Sequence, residues 1–346
     1  QQLMRLRHSR RKDMPDLVEI DAEQSVTPVS AVLRQRAFGE LHNDDDFLFT
    51  ESIKPVYENA YKIAQTDNVT VLISGETGTG KEHLAHYIHR MSARKGKPFE
   101  SINCSGLSDQ LLESRLFGYK KGSFTGAFAD HKGLFRSAEG GTVFMDEIAD
   151  ITPYMQQTLL RVLQNKEIQP IGEKSVKTNV RIIAAANRNL YEKCRKGEFR
   201  FDLFYRLAVT DLRLPALSER GMKEKENMIH FFLNRKKERF RRTQTLKLSK
   251  DLMNFMLNYD FPGNIRELEN LIERFYVFKQ ESADMDDLPE HSKIKLNEHS
   301  LKLADAEREH ILKVYNNLGR NKQNTATALG VAFNTLKSRV AKYKED

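Results

Sequence analysis

The chain has 346 residues, 39% of them hydrophobic, with 56 Lys and Arg against 48 Asp and Glu and a formal net charge of +8. That length implies two or three domains with ample core, and the basic balance suits a polyanionic partner without requiring one. No apolar run approaches membrane-spanning length and no signal peptide opens the chain, while two cysteines, Cys104 and Cys194, exclude a disulfide framework or cysteine metal cluster and fit a reducing cytoplasm.

The first residue is Gln1 rather than methionine, as expected of a fragment. Residues 1–46 read as a linker or the remnant of a regulatory region. They combine a basic start (QQLMRLRHSRRK), a weak helical pattern through Val29, Val32, Leu33 and Ala37, and an acidic run at Asp44–Asp46. A solvated linker is the plainer reading of that basic start, and contact with nucleic acid the sharper one.

Residues 47–220 alternate strands and helices, which predicts an α/β core with a parallel sheet and a site at the strands' carboxyl ends. The first strand, Val69 to Ile73, runs into Gly75-Glu76-Thr77-Gly78-Thr79-Gly80, then Lys81, then a helical pattern with Leu84, Ile88 and Met91 on one face. Strand, glycine loop, lysine and helix form the context of a phosphate-binding P-loop. Backbone N–H groups and the helix N-terminus supply positive potential, and Lys81 would reach the outer phosphates. The plain alternative is a glycine turn beside a solvated lysine. Glu82 occupies the position where the general motif has a magnesium-binding Ser or Thr, so it would act on the metal through water or leave that position to water.

A second strand, Pro98 to Asn103, follows. A third, from Gly141, ends in two carboxylates, Asp146 and Glu147, as a Walker B element does. The first would hold Mg2+ through water and the second would polarise the attacking water. By itself such a strand could simply end at an acidic helix start. The strand Val180–Ala186 ends at Asn187, whose amide could orient the water or sense the γ-phosphate, although an Asn there is ordinarily a turn residue. Val209 to Leu214 reads as a fifth strand, closed by Pro215. Between the second and third strands, Gly118 to Phe128 forms a loop that sheet construction does not require. Its glycines flank aromatics that look exposed, as in a mobile loop presenting Phe124 and Thr125.

Residues 221–285 read as a smaller helical lid, densely basic from Arg235 to Arg242; a solvated helix is the plainer reading of that charge. The polar stretch 281–300, with Pro289, reads as a linker, assigned as 286–300. Residues 301–346 form a third unit. A helix face of Ala304, Ile311, Leu312, Tyr315 and Leu318 ends at Gly319; a short helix Asn324–Leu329, the turn Gly330-Val331-Ala332 and a helix Phe333–Tyr343 follow. This is helix-turn-helix spacing, with Asn334, Lys337, Ser338, Arg339 and Lys342 outward for bases or phosphates, against the alternative of a plain three-helix bundle.

Several ordered motifs make the chain resemble the AAA+ ATPase domain of sigma-54-dependent transcription activators, the bacterial enhancer-binding proteins. GETGTGKE at Gly75–Glu82 is identical to that family's P-loop. GSFTGA at Gly122–Ala127 (Gly122, Ser123, Phe124, Thr125, Gly126, Ala127) resembles its GAFTGA loop, with Ser123 for Ala. Gly141–Ile148 resembles GTLFLDEI, and Asn103 matches the asparagine that couples the Walker B glutamate to the loop. Phe199–Leu207 resembles FRxDLxxRL, whose arginines, here Arg200 and Arg206, reach a neighbouring subunit's nucleotide; independently, cationic forks stabilise charge on a transferring phosphoryl group. Phe261–Asn270 resembles WPGNVRELEN, the sensor II element, which contributes Arg266. The tail's ATALGV and NTLKSRV, with Thr335, resemble the Fis-like domain that ends these activators.

Three positions depart from the pattern. Arg136 stands where many members carry Glu, Ala186 replaces a Thr, and an RxDI element is absent around Gly221–Glu224. The resemblance implies ATP and Mg2+ as cofactors, a homo-oligomeric, hexameric ring, sigma-54 RNA polymerase holoenzyme and enhancer DNA as partners, and an upstream sensory domain or sensor kinase; residues 1–46 are too short to be such a domain. Two rivals belong to other classes. A DNA-binding regulator with a nucleotide switch but no turnover is disfavoured by Glu147 and the two arginines, and phosphate release separates the cases. A helicase or loader would not need the GSFTGA loop, and strand displacement would reveal it.

Overall fold

A computed structural model of the protein describes residues 48–290 and 292, and 307–345 apart from 309, 313, 316, 317, 319 and 320. The patterns read in residues 1–46, most of the assigned linker, Ala304, Gly319 and the side chain of Lys342 lie outside the described residues. The chain divides into two compact units, residues 1–231 with 260–268 and residues 232–259 with 269–346.

The first unit contains α1 (Lys54–Ala64), β1 (Val71–Ser74), α2 (Lys81–Arg90), β2 (Phe99–Asn103), α3 (Asp109–Phe117), α4 (Gly133–Ser137) and β3 (Thr142–Asp146). It continues through α5 (Pro153–Asn165), the antiparallel hairpin β4 (Glu167–Ile168) and β5 (Val176–Lys177), then β6 (Arg181–Ala186), α6 (Leu190–Arg195), α7 (Phe201–Leu207) and β7 (Thr210–Arg213). The sheet order is β2-β3-β6-β1-β7, and every pair is parallel. All five predicted strands are present, shifted by a residue or two at their ends.

The strands are apolar throughout because both sheet faces are covered. Leu72, Val143, Met145, Ile182 and Ala184 face one core with α3, α5 and α7. Their neighbours Val71, Ile73, Phe144, Ile183 and Ala185 face the other, with α1 and α2. This period-two split of near-continuous apolar runs makes a three-layer α/β/α core. Ala186, in place of the family's Thr, is 1% exposed and pairs in register with Ser74.

The amino ends of three strands are clamped by Arg94, 5% exposed. Its guanidinium donates to Asp67 Oδ1 (2.8 Å), Asn68 Oδ1 (2.9 Å), Gly141 O (3.0 Å) and Asn179 O (2.8 Å). No motif announces this residue. It stiffens the sheet at the end opposite the site.

Helices α8 (Met222–Arg239), α9 (Lys250–Asn258) and α10 (Asn264–Phe278) follow, with a parallel pair of β8 (Lys247–Leu248) and β9 (Ser282–Ala283). The basic run from Arg235 to Arg242 is only partly a solvated face. Lys236, 1% exposed, sits between Glu269 (2.7 Å) and Glu273 (2.5 Å), and Arg242 donates to Gln280 O while its guanidinium lies over the Tyr276 ring. Residues 281–290, read as the start of a linker, instead carry β9, a 3-10 turn at Met285–Asp287 and a Lys279–Asp287 ion pair at 2.6 Å. In the tail, α11 (Lys322–Leu329) ends at Gly330 in the left-handed region and α12 (Phe333–Glu345) follows; Ile311, Tyr315, Ala326, Leu336 and Val340 form their core.

Candidate functional site

The P-loop leaves β1 at the sheet's switch point, where chain connections diverge to β2 on one side and β7 on the other. Lys81 opens α2 and is buried. Its Nζ donates to Gly75 O (2.8 Å) and Glu76 O (2.9 Å), so the ammonium is held over the loop it would share with a phosphate. Burial pushes its pKa down, and the carboxylates of Asp146 and Glu147 push it back up. Thr79 Oγ1 donates to Glu76 O at 2.8 Å and braces the loop from within.

Gly78 is required on two counts. Its φ is +79°, and a Cβ there would lie 2.2 Å from Gly263 O. Gly78 O in turn accepts from Ile265 N at 3.0 Å. Asn264, fully buried, donates to Glu76 Oε2 and Thr77 O (both 3.0 Å) and accepts from Leu217 N at 2.7 Å. The sensor II motif thus does more than bring Arg266, whose exposed side chain acts electrostatically on both Lys81 and Glu147. Asn264 fastens the motif to the P-loop, a role that the sequence marked only as part of a run.

Asp146 ends β3 and accepts from Glu147 N at 2.9 Å; burial is the main cause that raises its pKa. Glu147 is in the left-handed region, with φ +54°. For a residue with a side chain that costs on the order of 1 kcal/mol and turns the carboxylate away from the strand path. Its pKa is lowered first by the Ser105 side chain and then, after an opposing burial effect, by Asn103. Asn103, the residue in register with Asp146, has its Oδ1 held by Ser105 N and Ser105 Oγ, both at 2.8 Å. Fixing that oxygen turns the amide's NH2 away from Ser105, free to donate. Ser105 is a site residue that sequence reasoning missed; the i, i+2 Asn–Ser spacing that permits an Asx turn was its only signal.

Asn187 follows β6, and its Oδ1 is buried with no hydrogen-bond partner. A buried acceptor without a donor is costly and suits a water or ligand donor. With the loop amides, Lys81 and two carboxylates, the residue set fits a metal-bound nucleoside triphosphate. Glu82 is exposed in the first turn of α2.

The 118–133 loop is closed at its base. A Cβ on Gly118 would lie 2.3 Å from His131 O, and one on Gly133 would lie 2.3 Å from Gly118 N. Tyr119 N and His131 N exchange bonds with each other's carbonyls at 2.9 Å, and Lys120 pairs with Asp130 at 2.8 Å. Thr125 is exposed as expected. Phe124 is not: it is half-buried, edge-on against Tyr119 with ring centroids 4.9 Å apart. The aromatic thrust into solvent is Phe128, 86% exposed. Phe124 packs inward because the loop doubles back, Gly122 N donating to Ala127 O at 2.9 Å and Ala127 N to Phe124 O at 3.0 Å. Ser123 Oγ donates to Lys120 O, a bond the family's Ala could not make.

Arg200 caps the start of α7, Arg206 lies in its last turn, and both are exposed; Arg200 is held by Asp202 through two bonds, 3.0 and 2.7 Å. In the tail, Asn334, Thr335, Lys337 and Ser338 are exposed on one face of α12, opposite buried Leu336 and Val340. Arg339 departs from that face: it is half-buried and paired with Glu307. Where the RxDI element is absent, Glu224 accepts from Ser52 N (2.7 Å) and Ser52 Oγ (2.5 Å).

Residues 48–213 match the family model of the Sigma-54 interaction domain, and residues 222–304 that of the AAA+ ATPase lid domain. The chain belongs to the sigma-54-dependent transcription activators. Its AAA+ core, parallel sheet and helical lid are those of that family. It is 40% identical over 291 residues to the transcriptional regulatory protein ZraR of Salmonella typhimurium, covering 82% of this chain and 66% of ZraR. It is 43% identical over 235 residues to the nitrogen fixation protein AnfA of Azotobacter vinelandii (68% and 44% of each chain). The match to the transcriptional regulatory protein GlrR of Escherichia coli K12 is 44% over 236 residues (68% and 52%). The chain thus spans between about two fifths and two thirds of the relatives it matches. Among solved structures, NtrX from Brucella abortus in complex with ADP superposes with a TM-score of 0.67 at 27% identity, covering 91% of this chain and 74% of NtrX. NtrX in complex with ATP gives 0.65 at 27% identity, covering 91% and 73%. Among the described residues no helix is long and apolar enough to cross a membrane.

Proposed function

We propose that this chain hydrolyses ATP and uses the hydrolysis to remodel a closed promoter complex of sigma-54 RNA polymerase. The observation that supports this most is the grouping of Lys81, Asp146 and Glu147, with Glu147 held in a left-handed backbone and its pKa lowered by the neighbouring Ser105 and Asn103 side chains. Lys81 and the loop amides bind the phosphates. Asp146 would hold a magnesium ion, with Glu82 reaching it through water, and that ion would neutralise charge on the phosphates. Glu147 accepts a proton from the attacking water, and its lowered pKa keeps it ionised to do so. Asn187 places its unpartnered oxygen at the strand end where that water belongs.

The exposed positions of Arg200 and Arg206 support a role in a neighbouring subunit's site, and hence a ring, hexameric as the family resemblance implies. Thr125 at the exposed turn of the loop is the contact with sigma-54. The face of α12 bearing Asn334, Thr335, Lys337 and Ser338 binds enhancer DNA, with Lys342 on the same helix. Arg339 serves first as the tail's internal ion pair. The upstream input, a sensory domain or sensor kinase, belongs to the same proposal.

Thr125→Ala tests the reading. Its hydroxyl has no part in phosphate chemistry, so hydrolysis should stay within about two-fold of the parent while ATP-dependent opening of a sigma-54 promoter falls at least about ten-fold. A variant that hydrolyses ATP and still opens the promoter refutes the loop's role; joint loss of folding and hydrolysis makes Thr125 merely structural.

A further inference from the structure

The sheet leaves one face of its edge strand β7 open. Alternation along β7 buries Leu212 in the core with α1 and α2 and turns Asp211 and Arg213 to the opposite face, where both are exposed. In register, Leu72 lies beside Asp211 and Ser74 beside Arg213. All four line a cavity of about 380 Å³, within the size range of small-molecule sites. Tyr191 of α6 and Phe204 of α7 add aromatic lining, their ring centroids 6.0 Å apart, and Leu190 and Leu214 add aliphatic surface. Lys81, Asp146 and Glu147 do not line this cavity, and the proposed hydrolysis gives it no task.

The charged groups around it are engaged, with one exception. Arg213 pairs with Glu219 at 2.7 Å and Arg188 with Asp150 at 3.5 Å, while Glu76 accepts from Asn264 at 3.0 Å and attracts Lys81. Asp211 is the exception. Its carboxylate accepts from Ser74 Oγ at 3.3 Å and from the Leu212 backbone, and among the described residues no cation pairs with it. The protein packed around it pushes its pKa up, as expected of a carboxylate that has lost water without gaining a counter-ion. One anionic acceptor among leucines and two aromatic rings suits a compact organic cation. The carboxylate takes its N–H donors, the ring faces attract its charge, and the leucines cover its apolar body.

The cavity also reaches the root of the P-loop. Gly75 and Glu76 line it, as does Asn187. Gly75 N donates to Ala186 O at 3.2 Å and Leu214 N to Ser74 O at 2.8 Å, and a Cβ on Gly75 would lie 2.9 Å from Leu214 O. The strand ends that wall the cavity therefore hold the start of the loop with no slack between them.

We propose that this cavity binds a small organic cation, an ammonium or amidinium on a flat apolar body, through Asp211, and that its occupancy is transmitted to the P-loop through Gly75. The inference goes beyond the proposed function and does not depend on promoter remodelling.

Benzamidine, a flat amidinium, serves as the probe, titrated into the full chain by ligand-observed NMR beside uncharged benzamide. For so small a ligand a Kd of about 1 mM or tighter is expected, with benzamide at least about ten-fold weaker. Asp211→Asn, which keeps the shape and removes the charge, should weaken benzamidine by about ten-fold or more at an unchanged melting temperature. Tyr191→Ala should weaken it by about three-fold. Saturating probe should change ATP affinity about five-fold, and ATP should change probe affinity by the same factor. Equal binding by the parent and Asp211→Asn, or of benzamide and benzamidine, overturns the cation site. Strict mutual exclusion of probe and ATP would put the probe in the nucleotide site and overturns it too, and independent binding of the two overturns the link to the P-loop. Probe binding that vanishes as the chain assembles at higher protein concentration overturns the free-ligand reading and gives Asp211 to a cation of a neighbouring copy.

Discussion

Two glycine-rich loops of this chain are built on opposite plans. The P-loop, Gly75 to Gly80, is fastened along its length: Lys81 holds the carbonyls of Gly75 and Glu76, Thr79 braces the second of these as well, and Asn264 and Ile265 hold the loop from outside. Such a loop presents a fixed set of N–H donors and has little freedom to change. The 118–133 loop is fastened at its base and open at its turn. Gly118 and Gly133 cross with no room for a Cβ, whereas Gly122 and Gly126 have no atom within 4 Å of where a Cβ would sit. Similar glycine content goes with a loop held along its length in one case and a loop open at its turn in the other. The neighbours of each glycine, not its presence, decide which.

The sharpest way to isolate the first plan is to remove its chemistry and leave its geometry. Glu147→Gln keeps the shape of the site but cannot accept the water's proton. Nucleotide should still bind, while single-turnover phosphate release falls by about 10²-fold or more, the usual scale for a lost general base. Near-parental release by this variant breaks the assignment. The second plan is broken sterically. Gly133→Ala forces a Cβ against backbone at φ +71° and should cost about 3 kcal/mol or more in a denaturant melt. Gly126→Ala meets only the φ penalty, about 1 kcal/mol. Equal costs would mean that the loop's base is as loose as its turn.

The smallest effect separates Ser105 from Asn103. A carboxylate base works only when ionised, so activity falls as pH drops through the Glu147 pKa. Ser105 is the first cause holding that pKa low. Ser105→Ala should therefore raise it and move the acid limb of the kcat profile to higher pH, with a modest change of about two-fold in the plateau rate. Ser105→Thr, which keeps the hydroxyl, should leave the limb in place. An unmoved limb in the alanine variant removes Ser105 from the machinery.

The sequence by itself determined the elements and the polar positions at the strand ends. Five apolar strands were readable because a parallel sheet buried on both faces demands continuous β-branched and aliphatic runs. Gly75–Lys81, Asp146, Glu147 and Asn187 were readable as strand-end positions, where the structure also has them, because each follows an apolar strand. The tertiary structure decided what touches what across long separations. Arg94 joins three strand starts, Asn264 reaches the P-loop from 188 residues away in sequence, and Arg136 finds Glu173 on a hairpin. None of these has a local pattern, since hydrogen bonds between distant side chains leave no periodicity in a single chain. The same reason explains the errors. Phe124 looked exposed because a glycine-flanked aromatic carries no local sign of Tyr119 beneath it, and Arg339 looked free because Glu307 lies in another helical segment. Polarity around 281–290 looked like a linker, yet backbone pairing of β9 with β8 orders that stretch without an apolar run to announce it.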